Sequence, residues 1–305
     1  MRLTIGIPSK NGGEKLLSTV KSCINVNLEP SSYEILIIDN HSEDDTVQRL
    51  KKLKKEIKNL RIIENPKDIG RTNNWNRCVQ KAKGQYFIFL FTGDMIAKEN
   101  NIAQLLDILD SDLGIGLVMS KFLMLTEKYQ RSGRRYIHKS QFVDTEKFLR
   151  SFINSARLPC GPLQSMVYRT EQLSQEKFSS ELDFVADQIV TINYALHFPK
   201  IYLNNKPQFV WMISKERFHS NVDFMRTFTQ FLNAVDWINL SIDKKLFYQN
   251  LLLIIFSKHL IRREINQEDF RKAKDLLFQK AGYKIGVDVQ LIKSGINYLV
   301  YLAKL

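Results

Sequence analysis

Leu3-Thr4-Ile5-Gly6-Ile7-Pro8 breaks off into the polar run Ser9-Lys10-Asn11-Gly12-Gly13, and Tyr33-Glu34-Ile35-Leu36-Ile37-Ile38-Asp39 breaks off into Asn40-His41-Ser42. Each apolar run has the length and β-branched content of a buried strand. Both hand polar groups to the carboxyl edge of a parallel sheet, which is where open α/β folds bind ligands. The two runs therefore predict the first strands of an α/β domain whose site lies at Pro8 and Asp39.

Working outward, residues 14–25 carry Leu16, Leu17, Val20 and Cys23 at helical spacing, and residues 44–57 repeat the pattern with Val47, Leu50 and Leu53. A short strand at Leu60–Glu64 leads to the loop Asn65-Pro66-Lys67-Asp68-Ile69-Gly70, and a helix over about 72–82 stops before Gly84. Tyr86–Phe91 is apolar throughout, as a central strand covered on both faces should be, and ends at Thr92-Gly93-Asp94. A helix over Ile102–Leu109 and a strand over Ile115–Ser120 follow. Beyond Asp223 the spacing predicts only helices, near 223–240, 244–263, 267–281 and 287–305. The expected plan is an α/β domain over 1–222, its halves about 1–120 and 121–222, with a helical appendage over 223–305.

At 305 residues, 44% hydrophobic and 25% charged, the chain can bury a full core. Its net charge of +13 favours anionic partners, which include phosphates, nucleic acid and acidic lipid headgroups. Cys23, Cys78 and Cys160 are odd in number and far apart, so neither a disulfide framework nor a zinc site is indicated, and a reducing compartment fits. The chain enters a strand at once, leaving no room for a signal segment, and the apolar run Leu251–Phe256 is far short of a membrane span. A cytoplasmic protein is expected, with the inner face of the plasma membrane as a second possible location.

Four polar clusters follow four predicted strands. Asp39 can accept hydrogen bonds from a base or sugar, Arg71 can pair with a uracil carbonyl or a phosphate, and Asp94 can bind a ribose or a divalent cation. Together they describe a nucleotide pocket, although Asp39 alone could simply cap a turn or helix. Asp187 opens an apolar helix, where it serves either as a base or as a partner of the helix dipole; Asp183 and Glu181 compete with it. Gly161, in Pro159-Cys160-Gly161-Pro162-Leu163-Gln164-Ser165, allows close backbone approach to a sugar or a tight structural turn. The basic stretch from Lys128 to Lys139, with Arg131, Arg134, Arg135 and His138, reads as a solvated hairpin or as a lid for an anionic ligand.

The segments IGIPSKN, EILIIDNHSEDDT, NPKDIGRTNNWNRCVQKAKGQYFIFLFTGD and FVADQIVTINYAL, in this order and spacing, resemble the family-2 glycosyltransferases of the GT-A fold over about Leu3 to Ser220. The resemblance implies a Rossmann-like, mostly parallel sheet flanked by helices, and an inverting transfer from a nucleotide-sugar, with a UDP-sugar the expected donor. It places the donor against Pro8, Ser9, Asn11, Asp39, Arg71, Asp94, Arg217 and His219, a Mg²⁺ or Mn²⁺ ion on Asp94 and His219, and the catalytic base at Asp187. Members usually show two neighbouring acids where this chain has only Asp94 between Gly93 and Met95. The implied acceptor is a hydroxyl of a glycan or lipid-linked molecule in surface polysaccharide, lipopolysaccharide or glycoprotein synthesis. Two other readings stand beside it, a degenerate sugar-nucleotide binder and a basic nucleic-acid-binding protein, the latter without any recognisable nucleic-acid motif. The last helix, with Leu291, Ile292, Ile296, Leu299 and Leu302 on one face and Lys293 and Lys304 around it, suits packing on the catalytic domain, on a second copy of the chain or on an anionic membrane.

Overall fold

β1 (Leu3–Ser9) and β2 (Tyr33–Asp39) lie side by side in parallel register, Leu3 opposite Tyr33 and Ser9 opposite Asp39, with every residue of both strands buried. The computed structural model that shows this describes residues 1–126, 130–134, 136–182, 185–212, 224–260 and 265–282. Between and after these strands come α1 (Gly13–Ser22), α2 (Thr46–Leu53), β3 (Leu60–Glu64), α3 (Arg71–Gln80) and β4 (Tyr86–Phe89). The βαβ alternation sends β3, β2, β1 and β4 in one direction, so their carboxyl ends share an edge.

The chain continues through β5 (Met95–Ile96), α4 (Ile102–Ser111), β6 (Ile115–Leu125), β7 (Gln130–Gly133), β8 (Gln141–Asp144) and α5 (Thr145–Ile153). Then come β9 (Met166–Arg169), α6 (Thr170–Leu173), α7 (Ala186–Ala195) and β10 (Lys200–Met212). The sheet order is β3-β2-β1-β4-β9-β6-β10-β5, with β7 on β6 and β8 on β10. β9 runs antiparallel to both of its neighbours, β4 and β6, which restores the original direction in β6 and in its parallel partner β10. The long strands thus point one way, and the reversed β9 carries the second half of the domain alongside the first. Its apolar interior includes Ile5, Ile7, Ile35, Ile37, Ile88 and Leu106.

Two compact units are present. The first holds residues 1–145 and 160–219, and the second holds 146–159 together with 220–305, so a segment of the sequence-defined acceptor half belongs with the C-terminal helices. In the second unit α8 (Phe224–Ala234), α9 (Lys244–Leu260) and α10 (Gln267–Ala281) bury Phe228, Leu232, Phe247, Leu251 and Leu277. Asp236 draws in Lys244 and Lys280 there, and these cations hold its carboxyl below the usual range, the Lys280 bond foremost. Among the described residues no helix is long and apolar enough to cross a membrane. The helix expected over 287–305 lies outside the described residues.

At the amino edge of the sheet the strands are locked by a buried polar cluster. Thr4 Oγ1 donates to Glu34 Oε1 at 2.7 Å, and Arg61 Nε donates to Glu34 Oε2 at 2.8 Å. Burial pushes the Glu34 carboxyl up, but its bonds from Arg61, Thr4 and the Lys83 backbone outweigh that and leave it below the usual range. The Gly84 N–H donates to Thr4 Oγ1 at 2.8 Å, and a Cβ on Gly84 would lie 2.3 Å from Thr4 N and 2.4 Å from Leu3 C. Backbone atoms cannot yield as a side-chain tip can. Gly84→Ala should therefore lower unfolding stability by about 2 kcal/mol, the usual scale of overpacking, read as a lower denaturant midpoint with an unchanged slope.

Candidate functional site

The carboxyl ends of β1 and β2 are knitted together before any ligand need be considered. Each strand turns through a residue with left-handed backbone, Asn11 at φ 50° and His41 at φ 62°. Asn11 N–H donates to Ser42 Oγ at 2.8 Å, and Asn11 Oδ1 accepts from Glu43 N–H at 2.9 Å, so the Asn11 side chain is occupied in joining the two turns. Asp39 is 1% exposed and accepts from both the backbone N–H and the hydroxyl of Ser42. Its turn-capping role is thus realised at the same strand end that the sequence marks for a ligand. Ser9 Oγ lies 3.2 Å from Thr92 Oγ1, which links the ends of β1 and β4, and Pro8 is buried in β1 opposite Ile38.

Arg71 is placed by a second network, made of amides. Asn65 Nδ2 donates to Asn40 Oδ1 and to Asn74 Oδ1, each at 2.9 Å, while Asn74 Nδ2 donates to Ile38 O at 3.1 Å. Asn40 Oδ1 also accepts from Ile69 N–H at 3.0 Å, and Asp68 Oδ1 accepts from Gly70 N–H at 2.8 Å. These bonds fix the loop that opens α3 at Arg71. Lys10 Nζ bonds Asp68 Oδ2 at 2.7 Å across the mouth of the site; that bond, with those from Gly70 and Asn40, pulls the Asp68 carboxyl down to about 2. The Arg71 guanidinium sits 5.2 Å from the ring centre of Trp75, one turn along, and Trp75 packs in a cluster with Phe89, Phe91 and Phe178.

Asp94 and Asp187 meet through one loop. Asp94 is 1% exposed, and Gln164 Nε2 donates to its Oδ2 at 2.9 Å. Three residues before Gln164, a Cβ on Gly161 would stand 2.2 Å from Gln188 Nε2 and 3.5 Å from Asp187 Oδ2. This backbone passes against the first turn of α7, so a side chain at position 161 would have to push the Gln188 amide aside. Asp187 accepts from Gln188 N–H at 2.8 Å. Burial pushes its carboxyl up to about 6, against the Gln188 bond and the positive charge of Arg71. Asp187 as a whole residue is half-buried, and its raised proton affinity is what a candidate base at this position would need.

Arg134 holds that loop in place. It is 8% exposed at the end of β7, with φ 53°, and its Nη1 donates to Ser120 O at 2.7 Å and to Ser165 Oγ, while Nη2 donates to Gly161 O at 2.9 Å. The basic stretch around it is therefore not a uniformly solvated hairpin. Arg134, Gln164 and the amides Asn40, Asn65 and Asn74 are site-building residues that the sequence reading missed. Their signal was available only as polar residues next to the motifs.

The structure brings Pro8, Ser9, Asn11 and Asp39 together at one pair of strand ends and couples Arg71 to Asp187 by charge. Arg217, His219 and Asp183 lie outside the described residues, and Glu181 is exposed in a 3₁₀ turn over Ser180–Leu182. Among the described residues no three His, Cys, Asp or Glu side chains cluster as a metal cage. A hard cation at the Asp94 carboxylate would draw most of its ligands from phosphate and water, which Mg²⁺ readily accepts.

Comparison with known proteins adds a family match, a curated relative and two solved structures. Residues 4–161, more than half of the chain, match the model described as Glycosyl transferase family 2. The poly(ribitol-phosphate) beta-glucosyltransferase of Bacillus spizizenii is 23% identical over 239 residues, 74% of this chain and 34% of that relative, so the chain spans well under two thirds of the relative's length. Staphylococcus aureus TarS 1–349 in complex with UDP-GlcNAc superposes with a TM-score of 0.69 at 17% identity, over 92% of this chain and 81% of that one. The mannosyltransferase PcManGT from Pyrobaculum calidifontis, in complex with GDP-Man and Mn²⁺, gives 0.58 at 15% identity, over 100% and 81%. At these identities the two structures establish the fold, a GT-A-like mixed sheet flanked by helices.

The Asp187 carboxyl binds its proton more tightly in the folded chain than at its ordinary 3.8. Its protonated form contributes stability in acid, and that contribution is lost as pH rises through about 6. Asp187→Asn should therefore raise stability at pH 7, by on the order of 1 kcal/mol. Thermal melts of the two proteins should converge below pH 4, where both carry a neutral side chain.

Proposed function

The chain belongs to glycosyl transferase family 2, and from that premise we propose that it transfers a sugar, with inversion, from a nucleotide-sugar to a hydroxyl of a surface glycan. A UDP-sugar is the proposed donor and an anionic polyol-phosphate chain the proposed acceptor. The solved TarS complex with UDP-GlcNAc and the poly(ribitol-phosphate) relative support those choices. The net charge of +13 also suits a polyanion and favours this reading over a neutral acceptor.

The observation that carries the proposal is the Gly161–Ser165 loop, which touches Asp94 through Gln164 and the first turn of α7 through Gly161. On this reading it links a donor-side carboxylate to a candidate base. In the proposed reaction Asp187 removes the acceptor hydroxyl proton as that oxygen attacks the anomeric carbon, and the nucleoside diphosphate leaves from the opposite face. The carbon–oxygen bond to the acceptor forms as the bond to the diphosphate breaks, and the proton ends on Asp187. Asp39 and the strand ends at Pro8, Ser9 and Asn11 would receive the nucleoside, and Arg71 would face negative charge on the donor. A divalent ion held by Asp94 would supply further positive charge to the leaving diphosphate. Arg217 and His219 are proposed for the same charge, and the helical region over 223–305 for contact with the acceptor, a membrane surface or a second copy. A cytoplasmic location accords with nucleotide-sugar use.

The elevated Asp187 carboxyl fits a base that must hold a proton transiently at near-neutral pH. Asp187→Asn should lower turnover about 10³-fold, within the range set by general-base catalysis, while UDP affinity measured by calorimetry stays unchanged. Near-normal turnover in that variant would remove Asp187 from the role, and no transfer in the wild type with any nucleotide-sugar would favour a degenerate binder. The acid limb of kcat/KM should fall near pH 6 and move upward in Arg71→Ala, since the arginine's charge favours the carboxylate. A limb that stays in place would disconnect the two groups.

A further inference from the structure

A cleft of about 610 Å³ lies between the outer side of α3 and the segment over residues 174–177. Its volume is that of a ligand site, but its lining is wrong for an apolar ligand: Asn73, Arg77, Gln80, Lys81, Ser174 and Lys177 contribute amides, a hydroxyl and three cations. Arg77 is partly buried, and its Nε is fully buried with no hydrogen-bond partner. Among the described residues no carboxylate pairs with Arg77, Lys81 or Lys177; the acid on the cleft wall, Glu176, bonds His197 Nε2 at 2.9 Å. A partly desolvated guanidinium without an anion is costly unless a ligand supplies one.

The position of the cleft suggests what that ligand is. One wall is the helix that begins at Arg71, and Ile69, two residues before it, lines one end. The other wall is pinned to α3 by Asn76, whose Nδ2 donates to Phe178 O at 2.9 Å and whose Oδ1 accepts from Phe178 N–H at 2.8 Å. From Phe178 the chain proceeds to Asp187. Both walls therefore lead to residues assigned above to the reaction. We propose that this cleft binds a phosphate-bearing stretch of the acceptor polymer, apart from the unit whose hydroxyl reacts. The inference rests on the polyanionic acceptor proposed above and adds a second point of attachment. Arg77 would take a phosphate oxygen pair through its planar fork, with Lys81 and Lys177 as point charges.

The test uses the full chain with its donor site saturated by UDP, and compares wild type with the double variant Arg77→Gln, Lys177→Gln. Calorimetry with inorganic tripolyphosphate should show about a tenfold weaker Kd in the variant, or 1.4 kcal/mol. In transfer assays KM for a polyol-phosphate polymer should rise about tenfold, with kcat, donor KM and KM for a single-unit acceptor unchanged. Unchanged tripolyphosphate affinity overturns the site. Weakened tripolyphosphate binding with unchanged polymer KM overturns the acceptor as its occupant. Wild-type transfer to neutral glycans but not to polyol phosphates overturns the acceptor reading itself, and with it this occupant. Arg77→Lys, which keeps the charge but not the fork, should recover part of the binding and so separates loss of the cation from damage to α3.

Discussion

The bond from Gln164 Nε2 to Asp94 Oδ2 is the contact on which the proposed site depends, because it joins two parts of the chain separated by 70 positions. Asp94 follows β4, in the parallel half of the sheet, whereas Gln164 precedes β9, the strand whose reversal begins the other half. A carboxylate that is 1% exposed needs a donor, and the amide supplies one without neutralising the charge. The same loop then runs back through cis Gly161–Pro162 to the first turn of α7. Asp94 and the first turn of α7 are thus both in contact with one piece of backbone, and Arg134 fixes that piece through carbonyl and hydroxyl acceptors.

Such a loop could not be derived from local pattern. The β1 and β2 strands were legible because both faces are covered, which makes an uninterrupted apolar run that breaks sharply at a functional edge. Asp39, Arg71, Asp94 and Asp187 stood out as candidates because each sits where such a run ends or a helix begins. The residues that orient them did not. Asn40, Asn65 and Asn74 form a chain of side-chain hydrogen bonds joining the loops after β2 and β3 to the first turn of α3, and their partners are set by tertiary approach rather than spacing. Arg134 stands among six basic residues between Lys128 and Lys139, and charge pattern does not tell a buried guanidinium from a solvated one. β10 was hidden for a different reason: Asn204-Asn205-Lys206-Pro207 interrupts its apolar pattern at the place where its register with β6 shifts.

The two networks around the donor edge differ in how they treat charge. Around Asp39 and Asn11 the bonds are short-range and made to backbone and hydroxyl groups, so the edge is shaped without a fixed cation. Around Asp68 the charge is paired, and the Lys10 bond spans the loops after β1 and β3. With 39% and 45% of the two side chains exposed, that ion pair is screened and adds little to stability. Its physical content is geometric: it limits how far the two loops can separate. A phosphate near Lys10 would compete with Asp68 for the same ammonium, and its binding would then be thermodynamically linked to opening of this contact.

Asp187 shows why the arrangement needs opposing influences rather than one strong one. Burial alone would favour the neutral acid, which cannot remove a proton, whereas strong ion pairing would leave a carboxylate with little affinity for it. The Arg71 charge and the Gln188 N–H offset part of the burial and leave a carboxyl near 6, ionised at neutral pH yet still basic enough to accept a proton. Arg71 is itself placed by the amide network and by Trp75, both fixed through α3. The proton affinity of Asp187 is therefore set in part by the loop that opens α3. In the reaction proposed above, a donor diphosphate at Arg71 would offset the guanidinium and raise the proton affinity of Asp187. In the proposed reaction, donor binding would thus strengthen the base as the substrate arrives.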